Sequence, residues 1–345
     1  MNIRLWLMLF VLVTLLLFLA NLWFGSVIIG WKEVVYALTG RLETGDISSV
    51  IVLKYRLPQA VTALSTGVGL AVSGLLLQTL FRNPLAGPSV LGISSGASLG
   101  VALVILSTSA FHITFLEGNG LAGNLVIIVF AFLGALAVLA VIVFVANRIG
   151  SIVTVLIIGI MIGYTVSAVV GVLQFFSRAE ELHAYVLWGL GSFSKTSTKE
   201  SLFLMFTTLV FVMLTLMYIK PLNALLLGNA YARSVGVDTT RLQTVLILIA
   251  GMLIAASTAF SGPIAFLGLA VPHLARGFFQ TSNHRVILPA SIIIGGGLAL
   301  LCNLIARLPG YDTSLPINAV TSVIGAPIVI WVIVTRGRMR QKGNG

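Results

Sequence analysis

Few residues in this chain could do chemistry, and they are scattered. The 345 residues include 9 Asp and Glu, 4 His and 1 Cys. The histidines, His112, His183, His273 and His284, share no metal-binding spacing. Each reads as a loop or packing residue. No nucleophile–base arrangement stands out. No Gly-x-x-x-x-Gly-Lys-Ser/Thr phosphate loop occurs, so the chain cannot hydrolyse ATP by that route. No catalytic residue, metal or cofactor is expected. Cys302 alone rules out an internal disulfide and reads as a small buried apolar residue. Two arginines draw notice because they stand at the ends of apolar runs, Arg56 before one and Arg307 after another. Either they snorkel at a membrane interface, or they pair with carboxylates of a partner.

The elements that must position these residues are membrane helices. The chain is 58% hydrophobic and 8% charged, whereas soluble domains carry roughly a quarter charged residues. A spanning helix needs about 20 apolar residues. Ten candidates follow, at 5–28, 58–80, 90–109, 121–146, 152–176, 201–219, 242–260, 264–279, 286–306 and 316–334. The fold class is therefore an all-α polytopic membrane protein, one transmembrane domain over 1–345. The first run is expected to be a retained helix and not a signal peptide, since no small-x-small cleavage site follows it.

The net charge of +11 is explained by topology. With the N-terminus inside, ten spans put both termini in the cytoplasm. Twelve of the 20 Lys and Arg then lie inside with one acid, Asp238, and the other cations balance the other acids outside. This is the positive-inside rule. Membrane lipid is the implied surroundings, and no nucleic-acid partner is needed. No Asp or Glu falls inside an expected span, which argues against the alternative of an ion-coupled secondary carrier. A membrane enzyme would need a catalytic cluster, and none is visible.

The stretch from Arg56 to Gly100 reads as two helices rich in small residues around an irregular turn, Phe81–Pro88. Small residues let helix backbones approach closely where lipid supplies no hydrophobic drive. Ser177–Glu200 is a longer outer segment whose Tyr185 and Trp188 suit a short interfacial helix. Lys220–Arg241 is too short and polar-ended to span. It reads as two short helices around a Gly-marked turn, with apolar residues that need a partner to cover them. Gly87-Pro88 and Gly262-Pro263 echo one another. Spans 2–5 start outside and spans 7–10 inside, so the two sets form a possible inverted repeat.

The motifs resemble a known family. They are Arg56-Leu57-Pro58, Gly74 to Gln78, Phe81-Arg82-Asn83-Pro84-Leu85-Ala86, Leu91-Gly92-Ile93-Ser94-Ser95-Gly96 and Leu227-Gly228…Ala232…Gly236. Further on come Gly262-Pro263-Ile264…Pro272-His273…Arg276, His284-Arg285, Ala306-Arg307, Leu315-Pro316 and Gly325-Ala326-Pro327. The chain resembles the permease subunits of type II ABC importers for iron–siderophore complexes, haem and vitamin B12, over residues 50–335. That resemblance implies a homodimer in the bacterial cytoplasmic (inner) membrane. Two ATP-binding cassette ATPase subunits would sit below it and a substrate-binding protein would dock above.

By the same resemblance, Arg56 and Arg307 engage acids of the binding protein. The coupling segment 220–241 rests on the ATPase, with Leu225, Leu227, Gly228, Asn229, Ala232 and Gly236 as its contact set. Asn83, Pro84, Leu85 and Ser151 fall where the family closes its cytoplasmic gate. Three residues depart from the pattern. Asn229 and Asn303 stand where an acid is common, and Asn318 replaces a Gly. The implied cargo is an iron chelate, a ferric siderophore or haem, with a corrinoid as the alternative.

Overall fold

The computed structural model of the protein describes residues 3–41, 46–106, 120–149, 151–307 and 314–342, and these contain helices and no strand. In chain order the helices are α1 (Ile3–Trp23), α2 (Trp31–Leu38), α3 (Ile47–Leu80), α4 (Ile93–Ile105), α5 (Gly120–Ile149), α6 (Ile152–Phe176) and α7 (Ala179–Gly189). They continue with α8 (Thr198–Met217), α9 (Ile219–Leu226), α10 (Asn229–Ser234), α11 (Thr239–Ser261), α12 (Leu267–Phe279), α13 (His284–Ala306) and α14 (Ile317–Lys342). Each of the ten expected spans coincides with one of these helices. Seven of them are long and apolar enough to cross a membrane.

The remaining three are shorter. Helices α4 and α12 have 13 residues each, and the apolar part of α14 runs Ile317–Trp331. Thirteen residues rise about 20 Å, less than the roughly 30 Å hydrocarbon core. A Gly-Pro break precedes both short helices and consumes residues the sequence pattern had assigned to the spans. Gly87, Leu91, Ser261 and Gly262 in those breaks are buried, and irregular backbone is tolerated at membrane depth where protein shelters it. The end of the third expected span, 107–109, lies outside the described residues, as do His112 and Gly150.

Helix α3 is the hub. Residues buried inside the protein make up 83% of its apolar window, against 17% for α6. Helices α13, α11, α8, α12 and α1 all pack on it. Small residues allow this. A Cβ at Gly67 would overlap the Gly295 carbonyl oxygen and the Ala299 methyl on α13, and one at Gly74 would overlap the backbone of Gly268 on α12. The two helix pairs touch backbone to backbone.

The start of α3 corrects the expected second span. The helix begins at Ile47, not near Pro58, and passes through a π-helical stretch at Ile51–Arg56. Pro58 has no N–H for the Lys54 carbonyl. The wider π turn shifts the pairing, and Leu57 N donates to Val52 O. The helix continues where proline would otherwise mark its first turn. At the other end of the chain's polar budget, the one acid in a long apolar helix is Glu200. It lies in the first turn of α8, in a capping box with Ser197 (2.7 Å and 3.4 Å).

Overpacking a tight core costs about 1–3 kcal/mol. Gly67→Val should therefore lower the thermal midpoint of the detergent-solubilised protein. Gly171→Val, where a Cβ meets nothing within 4 Å, should leave it nearly unchanged. Equal shifts for the two variants would refute the backbone contact.

Candidate coupling, gate and docking sites

Arg56 sits in the π stretch of α3, and this geometry turns its side chain back into the bundle. It is 2% exposed. Its guanidinium donates to the carbonyls of Leu22 (3.0 Å), Trp23 and Val27. These carbonyls lie at and beyond the C-terminal end of α1, where backbone oxygens lack helical partners and carry partial negative charge. Arg307 follows α13, half-buried, and reaches the carbonyl of Asn21 at 3.4 Å. A Cβ on Gly25 would lie 2.5 Å from Arg307 Nη2 and 3.0 Å from Arg56 Nη2, so the two guanidinium groups converge on that glycine. Burial, and then the neighbouring Arg56, push the Arg307 pKa down to about 10.

Below the arginines a chain of neutral amides crosses three helices. Gln59 Nε2 donates to Asn303 Oδ1 (3.0 Å), and Asn303 Nδ2 donates to Asn21 Oδ1 (2.7 Å). Asn21 Nδ2 in turn donates to the Leu17 and Leu300 carbonyls at 2.8 Å and 3.1 Å. Asn303, one of the departures from the family pattern, thus spends its side chain on helix packing. Beside it lies a cavity of about 210 Å³ lined by Gln59, Lys195, Asn303, Arg307 and hydroxyls of Ser192 and Ser194, with no acid among its described lining residues. Burial lowers the Lys195 pKa as well.

The expected pair of short helices is present as α9 and α10, joined at Gly228 with φ +121°. Of the anticipated contact set, Leu225 and Ala232 are buried against the bundle, Gly228 and Asn229 are half-buried, and Leu227 and Gly236 are exposed. The exposed apolar face consists of Leu226, Leu227, Tyr231 and Val235. Three of these were not singled out from the sequence. The helical phase set by the buried Leu222 and Leu225 finds Leu226 on α9, and the phase set by the buried Ala232 finds Tyr231 on α10.

Asn83, Pro84 and Leu85 form a tight turn. Leu85 N donates to Asn83 Oδ1 (2.9 Å), and Ala86 N donates to Asn83 O (3.1 Å). Two neighbours hold the turn from outside it. His273 of α12 donates Nε2–H to the Pro84 carbonyl (2.7 Å). Arg82, at φ +47°, donates to Asn229 Oδ1 of α10 (2.8 Å). Asn229 therefore links α10 to the turn that follows α3 within the chain. Ser151 is exposed, and its hydrogen bonds stay within the first turn of α6, with Thr154. No hydrogen bond joins it to the Asn83–Leu85 turn. His273 and His284, read from the sequence as bland, are each 1% exposed and sit beside the Asn83–Leu85 turn and α9, respectively. Among the described residues no group of three His, Cys, Asp or Glu is placed to hold a metal ion.

Removing a donor from buried carbonyls costs about 1–3 kcal/mol. Arg56→Lys keeps the charge but loses the fork that serves three carbonyls. It is expected to destabilise the purified protein by that amount in thermal unfolding, and an unchanged midpoint would refute the capping role.

The chain is similar to known proteins. The chain is 35% identical to the hemin transport system permease protein HmuU of Yersinia pestis over 333 residues, covering 96% of each chain. It is 32% identical to the vitamin B12 import system permease protein BtuC of Shigella sonnei over 289 residues, covering 84% of this chain and 85% of that one. A solved structure described as an inward-facing conformation of a metal-chelate type ABC transporter superposes with a TM-score of 0.79 at 29% identity, covering 95% of this chain and 98% of the other. The sequence model of the FecCD transport family matches residues 12–335. The chain thus belongs to the FecCD transport family, the transmembrane permease component of ABC importers.

Proposed function

We propose that this chain is the permease of an importer for an iron chelate, haem or a ferric siderophore, in the bacterial inner membrane with both termini cytoplasmic. A corrinoid is the second reading, since BtuC is also a relative. The observation that carries the proposal is the exposed apolar face of Leu226, Leu227, Tyr231 and Val235 on α9 and α10. A loop face of this kind needs a partner, and in this family the ATPase subunit is the partner at hand. Two copies of the chain flank the pathway. The support for that is α6, whose Tyr164, Phe175 and Phe176 are strongly exposed.

The outer mouth is the docking site for the binding protein. Arg307 and Lys195 present positive charge there, with Arg56 behind Arg307 fixing the end of α1. Complementary acids on the incoming protein would steer its approach. The turn Asn83–Leu85, with Leu85 exposed, serves as the inner gate together with Ser151. The wall between the two ends lacks buried carboxylates in its apolar helices beyond the capping Glu200. A cargo that must leave as readily as it enters is suited by such a surface.

Leu227→Asp should reduce ATPase co-purification with the permease by about tenfold or more, the scale of an interface hot spot. Unchanged co-purification would overturn the coupling face. Uptake by the reconstituted complex of hemin, a ferric hydroxamate or cyanocobalamin, each offered alone, decides the cargo. The proposal expects one of the first two, and exclusive uptake of cyanocobalamin would select the second reading.

A further inference from the structure

Helices α3 and α13 run antiparallel and are stitched at three heights. Gln59 meets Asn303 near the outer face (3.0 Å), Gly67 meets the Gly295 backbone in the middle, and Thr79 meets His284 at the inner end (2.9 Å). From Gln59 to Thr79 the helix rises about 30 Å, the thickness of the hydrocarbon core. The outer ends of the pair carry Arg56 and Arg307. The inner ends meet at a single imidazole.

That imidazole is bonded on both sides. His284 Nδ1–H donates to Asn223 Oδ1 on α9 at 2.9 Å, and Nε2 faces the Thr79 hydroxyl of α3. The same Asn223 oxygen accepts the backbone N–H of His284 at 2.8 Å. Asn223 Nδ2 donates to Asn283 Oδ1 (2.9 Å), the side chain that caps α13. A residue of the coupling helix therefore satisfies an orphan donor at the N-terminus of α13, a job usually done by the helix's own cap. Pro289 removes the hydrogen bond to the Arg285 carbonyl, so the turn of α13 most open to bending lies beside this joint.

We infer that His284 is a positioning residue that joins the coupling helix α9 to the α3–α13 pair, so that the pair moves as one lever between the inner face and the outer arginines. An apolar side chain of like size would fill the space. It would not hold three helices in one register, because that takes one side chain with a donor toward Asn223 and a second polar atom toward Thr79. A hydrogen-bonded polar cluster fixes geometry in a way packing alone does not. Through the lever, docking at the outer face and ATPase closure at the inner face bias the same element, which is the physical requirement for coupling two sites. This rests on the proposed importer reading.

The test uses the complete complex in nanodiscs, the chain with its ATPase subunits and its binding protein, and reads the ratio of binding-protein-stimulated to basal ATPase rate. His284→Ala is expected to lower that ratio by about fivefold or more, the lower range of allosteric coupling. His284→Gln offers Asn223 an amide donor and Thr79 an acceptor, and is expected to restore most of it. Cys302→Ala, equally buried on the same helix, serves as the packing control and should keep the wild-type ratio. If His284→Ala fails to assemble, Thr79→Val carries the test, since it removes only the hydroxyl and should also lower the ratio. An unchanged ratio in His284→Ala or Thr79→Val overturns the inference, as does a His284→Gln variant no better than His284→Ala. A wild-type complex without any stimulation overturns the importer reading itself, a distinct result.

Discussion

The close approach of α3 to its neighbours is the constraint on which the rest of the structure depends. Between helices in hydrocarbon there is no hydrophobic drive, because lipid tails are as apolar as leucine. Association rests on van der Waals contact and on interhelical hydrogen bonds. Gly67 against Gly295 and Gly74 against Gly268 bring backbones to a distance that any side chain would forbid. That proximity in turn lets polar side chains reach across from α3 to α13, as Gln59 does to Asn303 at 3.0 Å and Thr79 to His284 at 2.9 Å. Strip the glycines of their role and the polar stitches lose their partners, at the cost of unsatisfied groups in a medium without water.

The charged and amide-rich residues sort to the two ends of this packed centre. At the N-terminal end of α3, Arg56 and Arg307 are supported by main-chain carbonyls. At its C-terminal end, His273, His284, Arg82 and Asn229 connect the Asn83–Leu85 turn, α9, α10 and α3. The middle is apolar and small.

Much of this was legible in the sequence. Runs of apolar residues located every long helix, and Gly228 between apolar stretches marked the paired short helices of the coupling segment. What could not be read was the direction of side chains. Arg56 stands at an apolar run's start, so a position at the membrane surface was the natural reading. The π turn forced by Pro58 rotates it inward onto α1 instead. Leu225 and Ala232 share the motif with Leu227 but face the core, because helical phase and not motif membership decides exposure. The histidines were invisible as a pair, since residues 273 and 284 gain meaning only from Pro84, Thr79 and Asn223, which lie far away in the chain.

The central claim is that this membrane wall is driven from outside itself. The direct measurement is uptake of the iron chelate into proteoliposomes, in parallel preparations holding the permease alone and the permease with its ATPase and binding protein. The account predicts accumulation only in the complete complex, dependent on ATP and indifferent to an imposed proton or sodium gradient. Gradient-driven accumulation by the permease alone would contradict it.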